Sequence, residues 1–179
     1  ESWLPEFTST IIPAVRSLDL SNRPWENGYN APAGPDDPVE DHQYLFYGTA
    51  MNEPQPGHRE FQMTDLETMI GPAPNGATSK SGHALILNEY GWLWLNRDGS
   101  PTLLTQKLYP RLLGDRNTTE NRFALQAYLL GGETEFWRAY RRYAGVLHFV
   151  YLTASDPKAF TSDHFIDLQH LELEPHFEK

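Results

Sequence analysis

Glu89 is the residue in this sequence whose type and position most clearly suggest chemistry. It closes a short apolar run, Ala84-Leu-Ile-Leu-Asn-Glu-Tyr90, and is followed by Gly91. A short apolar run ending in polar groups reads as a buried parallel strand whose last residues reach a site. In α/β folds built on such strands, catalytic groups gather at the carboxyl ends. A carboxylate there can serve as nucleophile or base. On residue type alone, a Glu at a strand end is more often a cap or a salt-bridge member, so its neighbours matter. Asn88 precedes it, Trp92 and Trp94 follow it, and two other segments offer polar aromatics: Asp41-His42-Gln43-Tyr44 with Tyr47, and Gly145–Leu152 with His148, Phe149 and Tyr151.

The elements that must position these groups follow from periodicity. Residues 3–18 carry Phe7, Ile11, Ile12, Val15 and Leu18 at roughly helical spacing, with Pro13 expected to kink or break the helix. A short extended piece is expected at 25–29, a Pro-, Gly- and Asp-rich loop at 30–40, and an aromatic strand at 42–47. A helix at 60–70 and a loop at 71–82 lead into the Glu89 strand. Two helical stretches follow at 103–113 and 120–143, the second expected to divide at Gly131-Gly132. Residues 145–152 read as the strongest strand, and the tail from Asp163 as irregular or a short helix ending at Glu174-Pro175. Strands alternating with longer helical segments imply parallel strands and an α/β architecture. Four strands make half of an eight-stranded (β/α)8 TIM barrel, which alone would expose strand edges and half an interior. The 179 residues therefore read as one partial barrel domain, from strand 4 or 5 to strand 8.

Composition narrows the partners. The chain carries 24 acidic and 14 basic residues, a formal net charge of −10, so the basic footprint of a nucleic-acid binder is missing. No apolar run approaches the length of a membrane span. With no cysteine, disulfides and thiolate zinc sites are excluded. Aromatics make up 13% of the chain, mostly as expected core, but aromatic rings are also what a sugar site uses to stack on the C–H face of a pyranose. The start, Glu1-Ser-Trp-Leu-Pro-Glu6, has neither an initiator Met nor a signal-peptide pattern. It is expected to be an internal point of a longer gene product. A secreted or periplasmic setting would suit a polysaccharide degrader, but no residue here fixes the compartment.

Asn88-Glu89-Tyr90-Gly91 after Ala-Leu-Ile-Leu resembles the nucleophile strand of the glycoside hydrolase clan with (β/α)8 barrels, especially family 2, the β-galactosidases, β-glucuronidases and β-mannosidases. In that family the seventh strand ends in a Glu-Tyr pair whose Glu attacks the anomeric carbon. Glu1-Ser2, then a helix, then Arg16-Ser-Leu-Asp-Leu-Ser-Asn-Arg-Pro24 is similar to the family's fourth-strand Asn-Glu and the phrase that follows it. The resemblance makes Glu1 the general acid/base, with the motif's Asn lying just upstream. Asp41-His42-Gln43-Tyr44 is similar to the sixth-strand Asp-x-His-x-Tyr of some members, which implies Tyr44 as the hydroxyl that tunes the nucleophile. An alternative register aligns Tyr47 instead. His42 would bind a sugar hydroxyl. Where the family places a Trp platform on its eighth strand, this chain has His148, Phe149 and Tyr151, a departure that leaves sugar specificity open. Trp92 and Trp94 could take over the stacking or simply pack on the following helix.

The resemblance implies double displacement, with two carboxyl groups about 5–5.5 Å apart. Glu89 would be ionised and Glu1 protonated, their repulsion dividing the roles. A free α-ammonium on Glu1 would favour its ionised form and weaken it as an acid. No cofactor is expected, and the seven His show no metal spacing. Asp36-Asp37 with Glu40-Asp41 could hold a cation but reads better as a solvated acidic loop. Gly131-Gly132 is no phosphate loop, and no Gly-x-Ser-x-Gly elbow is present. The expected function is a retaining β-glycosidase, exo or endo. The expected partners are a carbohydrate substrate and the upstream half of the same barrel, with neither nucleic acid nor membrane. The alternative is a carbohydrate-binding barrel fragment without hydrolysis.

Overall fold

A computed structural model describes residues 5–28, 30–46, 62–69, 82–153, 156 and 158–178. The chain is α/β. Its centre is a three-stranded parallel sheet in the order β1 (Val39–Gln43), β2 (Leu85–Tyr90), β3 (Gly145–Val146). Adjacent parallel strands need crossover connections. The β1–β2 connection contains α2 (Met63–Thr68). The β2–β3 connection contains α3 (Leu108–Leu113) and α4 (Thr119–Ala139). A helical segment precedes the sheet: a π-turn over Phe7–Ile11 runs into α1 (Ile12–Arg16). Pro13, expected to kink this segment, sits just after the wide turn, as fits a residue with no N–H to give the previous turn. The tail forms a small antiparallel pair, β4 (Phe165–Asp167) and β5 (Glu172–Leu173), followed by a 3₁₀ turn at Pro175–Phe177. Among the described residues no helix is long and apolar enough to cross a membrane.

The core lies between β2 and the two helices that follow it. Leu87, Tyr90, Leu93 and Leu95 pack against Leu108, Tyr109, Leu129, Phe136 and Trp137. The Leu93 carbonyl accepts from the Tyr109 hydroxyl and, at 2.9 Å, from Gln126 Nε2, so a buried carbonyl past the strand end is satisfied twice by the helices. Thr134 Oγ1 donates to the Leu130 carbonyl, so the Tyr90 hydroxyl, 2.7 Å away, is the donor to Thr134. That bond ties β2 to α4 one residue beyond Glu89.

Several sequence expectations need correction. The helix expected to divide at Gly131-Gly132 is continuous from Thr119 to Ala139. Gly132 is there for packing: a Cβ on it would lie 2.7 Å from Leu66 Cδ2, so the missing side chain lets α2 approach α4. The segment expected to be the strongest strand pairs in full only at Gly145–Val146, with one further parallel bridge between Gly91 and Phe149. The extended piece at 25–28 is irregular. The aromatic strand begins earlier than expected, at Val39, and ends at Gln43. Asp37 is not part of a solvated loop: it is fully buried, its carboxylate paired with Arg16 and accepting from the Trp25 N–H at 2.8 Å. Burial alone would raise that carboxyl, but the Arg16 hydrogen bond, the Trp25 N–H and the Arg16 charge together hold it below the ordinary range.

Candidate functional site

Strand geometry explains which groups share the site. Side chains alternate along a strand, so Glu40, His42 and Tyr44 share one face of the β1 segment while Asp41 and Gln43 share the other. On that second face the Gln43 amide donates to both Asp41 oxygens, at 3.0 and 2.9 Å, and the Tyr143 hydroxyl donates to Asp41 at 2.6 Å. Burial and this acceptor push the Tyr143 hydroxyl well above its usual range. On the first face, the Tyr44 hydroxyl donates to Glu89 Oε2. His42 Nδ1 lies 3.4 Å from the same oxygen, and His42 Nε2 lies 3.2 Å from Glu40 Oε2.

β2 reaches this face through an irregularity. Asp41 pairs with Leu87, but the next residue, His42, pairs with Glu89, so Asn88 is an extra residue opposite β1. A bulge of this kind re-aims side chains. Here it breaks the alternation, and the adjacent residues Asn88 and Glu89 both line one cleft. Asn88 Nδ2 donates to Glu40 Oε2 at 2.5 Å. Gly91 completes the turn away from the strand: its φ is +127°, and a Cβ would meet the Phe149 carbonyl oxygen at 3.3 Å.

The cleft has a volume of about 400 Å³ and is lined by Phe7, Glu26, Asn27, Gly28, Glu40, His42, Asn88 and Glu89. Sequence reasoning missed Phe7 and Glu26 as site residues and read Glu40 only as part of an acidic loop. Glu-Asn-Gly at 26–28 was the available signal. Gly28 has φ +57°, and its Cβ position faces Glu40 Oε1 at 3.6 Å, so this turn comes close to the site. Partial desolvation, then the charge of Glu40, raises the Glu26 carboxyl above its ordinary value, against the backbone N–H of Gly28, the nearby His42 and the N–H of Asn27.

Of the residues singled out from sequence, the structure brings Glu89, Tyr44, His42 and Asn88 together. Trp92 and Trp94 lie beside Tyr44, with ring centroids 4.9 and 6.3 Å from it. Both indole N–H groups are committed, Trp92 to the Leu104 carbonyl at 3.0 Å and Trp94 to the Phe149 carbonyl at 3.1 Å. Trp94 is buried, so the two support Tyr44 from behind and neither lines the cleft. His148 also lies off the lining; its Nε2 is 3.0 Å from His164 Nε2. Tyr151 is 71% exposed and sets its ring edge against Phe165. Glu1 and Tyr47 lie outside the described residues, and so does the expected spacing between Glu1 and Glu89. Among the described residues no group of three or more His, Asp or Glu could hold a metal ion.

The fold and site together define an α/β chain with a carboxylate-bearing cleft at the carboxyl ends of parallel strands. Comparison of the chain with protein-family models, curated protein sequences and solved structures finds no match.

Proposed function

We propose that this chain supplies the C-terminal half of a (β/α)8 barrel to a retaining β-glycoside hydrolase of the family-2 type, with Glu89 as nucleophile. The observation that carries the reading is the convergence of the Tyr44 hydroxyl and the His42 ring on Glu89 Oε2 in an open cleft. The Tyr44 hydrogen bond, with the His42 ring beside the same oxygen, fixes the plane of the carboxylate. Oε1 is then the attacking atom. It forms a bond to the anomeric carbon as the glycosidic C–O bond breaks and an acid protonates the leaving oxygen. By resemblance that acid is Glu1. In the second step the same residue takes a proton from water, the water oxygen bonds the anomeric carbon, and Glu89 leaves as a carboxylate.

The unfilled edges of the sheet support a missing half. Parallel sheets are normally covered on both faces and paired along their length. Here β1 and β3 each pair on one side among the described strands, and Leu147, Tyr151 and Leu152, just beyond β3, are at least half exposed. The upstream strands of the same barrel would cover them.

The test uses the full-length protein and its Glu89→Gln variant against a panel of aryl β-glycosides, with a 2-fluorosugar to trap the intermediate. Turnover by the wild type, loss in the variant and labelling at Glu89 are expected. Sugar binding without turnover or labelling would overturn the enzyme reading and leave a recognition barrel.

A further inference from the structure

We infer that Glu40 is the positioning residue of this site: it holds the bulge at Asn88 and the ring of His42, and through them sets the direction of Glu89. The inference rests on the reading of Glu89 as nucleophile and goes beyond it. Glu40 is only 8% exposed, and a carboxylate so buried must have partners. Among the described residues it has two, and both meet the same oxygen. Asn88 Nδ2 lies at 2.5 Å and His42 Nε2 at 3.2 Å from Oε2.

Each partner bears on Glu89 by a different route. Asn88 is the extra residue of the bulge, the point where the pairing of β1 with β2 shifts by one. A one-residue shift of register turns side chains to the opposite face of a sheet. With the register unshifted, His42 would face Asn88, and alternation would carry Glu89 away from Tyr44. The amide held by Glu40 keeps the shifted register in place. His42 is the second route. With Nε2 on Glu40, the ring is oriented so that Nδ1 meets Glu89 Oε2 at 3.4 Å. Glu40 thus fixes both the backbone that carries the nucleophile and a side chain set against its carboxylate. Among the described residues its hydrogen bonds go to Asn88 and His42 rather than to Glu89.

Glu40→Ala, Glu40→Gln and Asn88→Ala in the full-length protein test this. The readouts are the rate of covalent trapping by a 2-fluorosugar of the series the wild type hydrolyses, at saturation, and its half-saturating concentration. Thermal midpoints are recorded alongside. Misplacing a reacting group by an ångström costs about 100-fold, so Glu40→Ala is expected to slow saturated trapping by about that factor with the half-saturating concentration unchanged. Gln keeps a carbonyl oxygen that can accept from both partners, so Glu40→Gln is expected to recover most of the rate. Asn88→Ala removes the other end of the same bond without removing the buried carboxylate, and is expected to slow trapping even where Glu40→Ala fails to fold. Trapping at the wild-type rate in folded Glu40→Ala or in Asn88→Ala would overturn the inference. So would a folded Glu40→Gln as slow as Glu40→Ala, because charge rather than acceptor geometry would then be at work. A wild type that is never trapped removes the nucleophile reading itself, a distinct outcome.

Discussion

Acidification from pH 6.5 to about pH 5 should cost the folded chain about 1.6 kcal/mol for each of two buried histidines, His148 and His164. The rings stack with centroids 4.8 Å apart, and Phe177 stacks on His164 at 4.2 Å. Burial lowers His148 from 6.5 to about 4. Burial, then the neighbouring His148, lowers His164 to about 3 against the pull of Asp163. The contact between the two Nε2 atoms needs one proton. Among the described residues His164 Nδ1 is buried without a partner, and a bare lone pair there costs less than a bare N–H. His164 therefore carries its proton on Nε2 and donates it to His148.

The direction follows from proton counting. Below pH 6.5 the unfolded chain takes up a proton on each imidazole while the folded pair stays neutral, so stability falls as pH drops toward 4. Each unit of pH is worth about 1.4 kcal/mol per group once the unfolded imidazole is fully protonated, and half of that slope at pH 6.5, where it is half protonated. Asp37, with its lowered carboxyl, contributes stability that is lost only at more acid pH, as protonation passes through its folded-state value. Urea unfolding at pH 6.5 and 5 should show the histidine loss directly. The double variant His148→Phe, His164→Phe keeps two rings in the stack and removes both titrations, so its loss over the same window should be smaller by about 3 kcal/mol. Equal slopes in wild type and double variant would refute the assignment of neutral, buried imidazoles.

Three further outcomes are expected. Gly131→Ala should stabilise α4 by about 0.5–1 kcal/mol, since nothing lies near its Cβ position. Gly132→Ala must displace Leu66 and should forfeit that gain or reverse it; paired thermal midpoints decide. Asp37→Asn should cost about 2 kcal/mol by weakening the charge-assisted bonds to Arg16 and Trp25, read by urea titration. Tyr44→Phe should lower kcat by about 100-fold on aryl β-glycosides if the bond to Glu89 Oε2 supports the nucleophile, and unchanged turnover would refute that role.

The features legible in the sequence were those with local causes. The β2 strand announced itself as an apolar run closed by polar groups, and the alternation of strand and helix gave the parallel sheet. The continuity of α4 was not legible, because a Gly pair weakens a helix locally and only a neighbour brought from 66 residues away, Leu66 against Gly132, shows what the second glycine is for. The long 145–152 strand failed for a similar reason: β-branched and aromatic residues favour extended chain, but full pairing of this segment stops after Val146.

The site divides along the same line. Tyr44 and His42 could be found because alternation on one strand puts them on one face, a rule that needs no partner. Glu40 obeys the same alternation, yet its charge suggested a solvated loop, since burial of a carboxylate depends on donors, and one of these comes from another strand. Glu89 is the subtler case. In a regular β2, Asn88 and Glu89 would point to opposite faces, and a sequence reading that credits both to one cleft has no justification in strand periodicity. The bulge supplies it, and the bulge is held by Asn88 on Glu40, a contact across 48 residues. The residue that makes the nucleophile strand work is therefore the one whose local sequence says least about it.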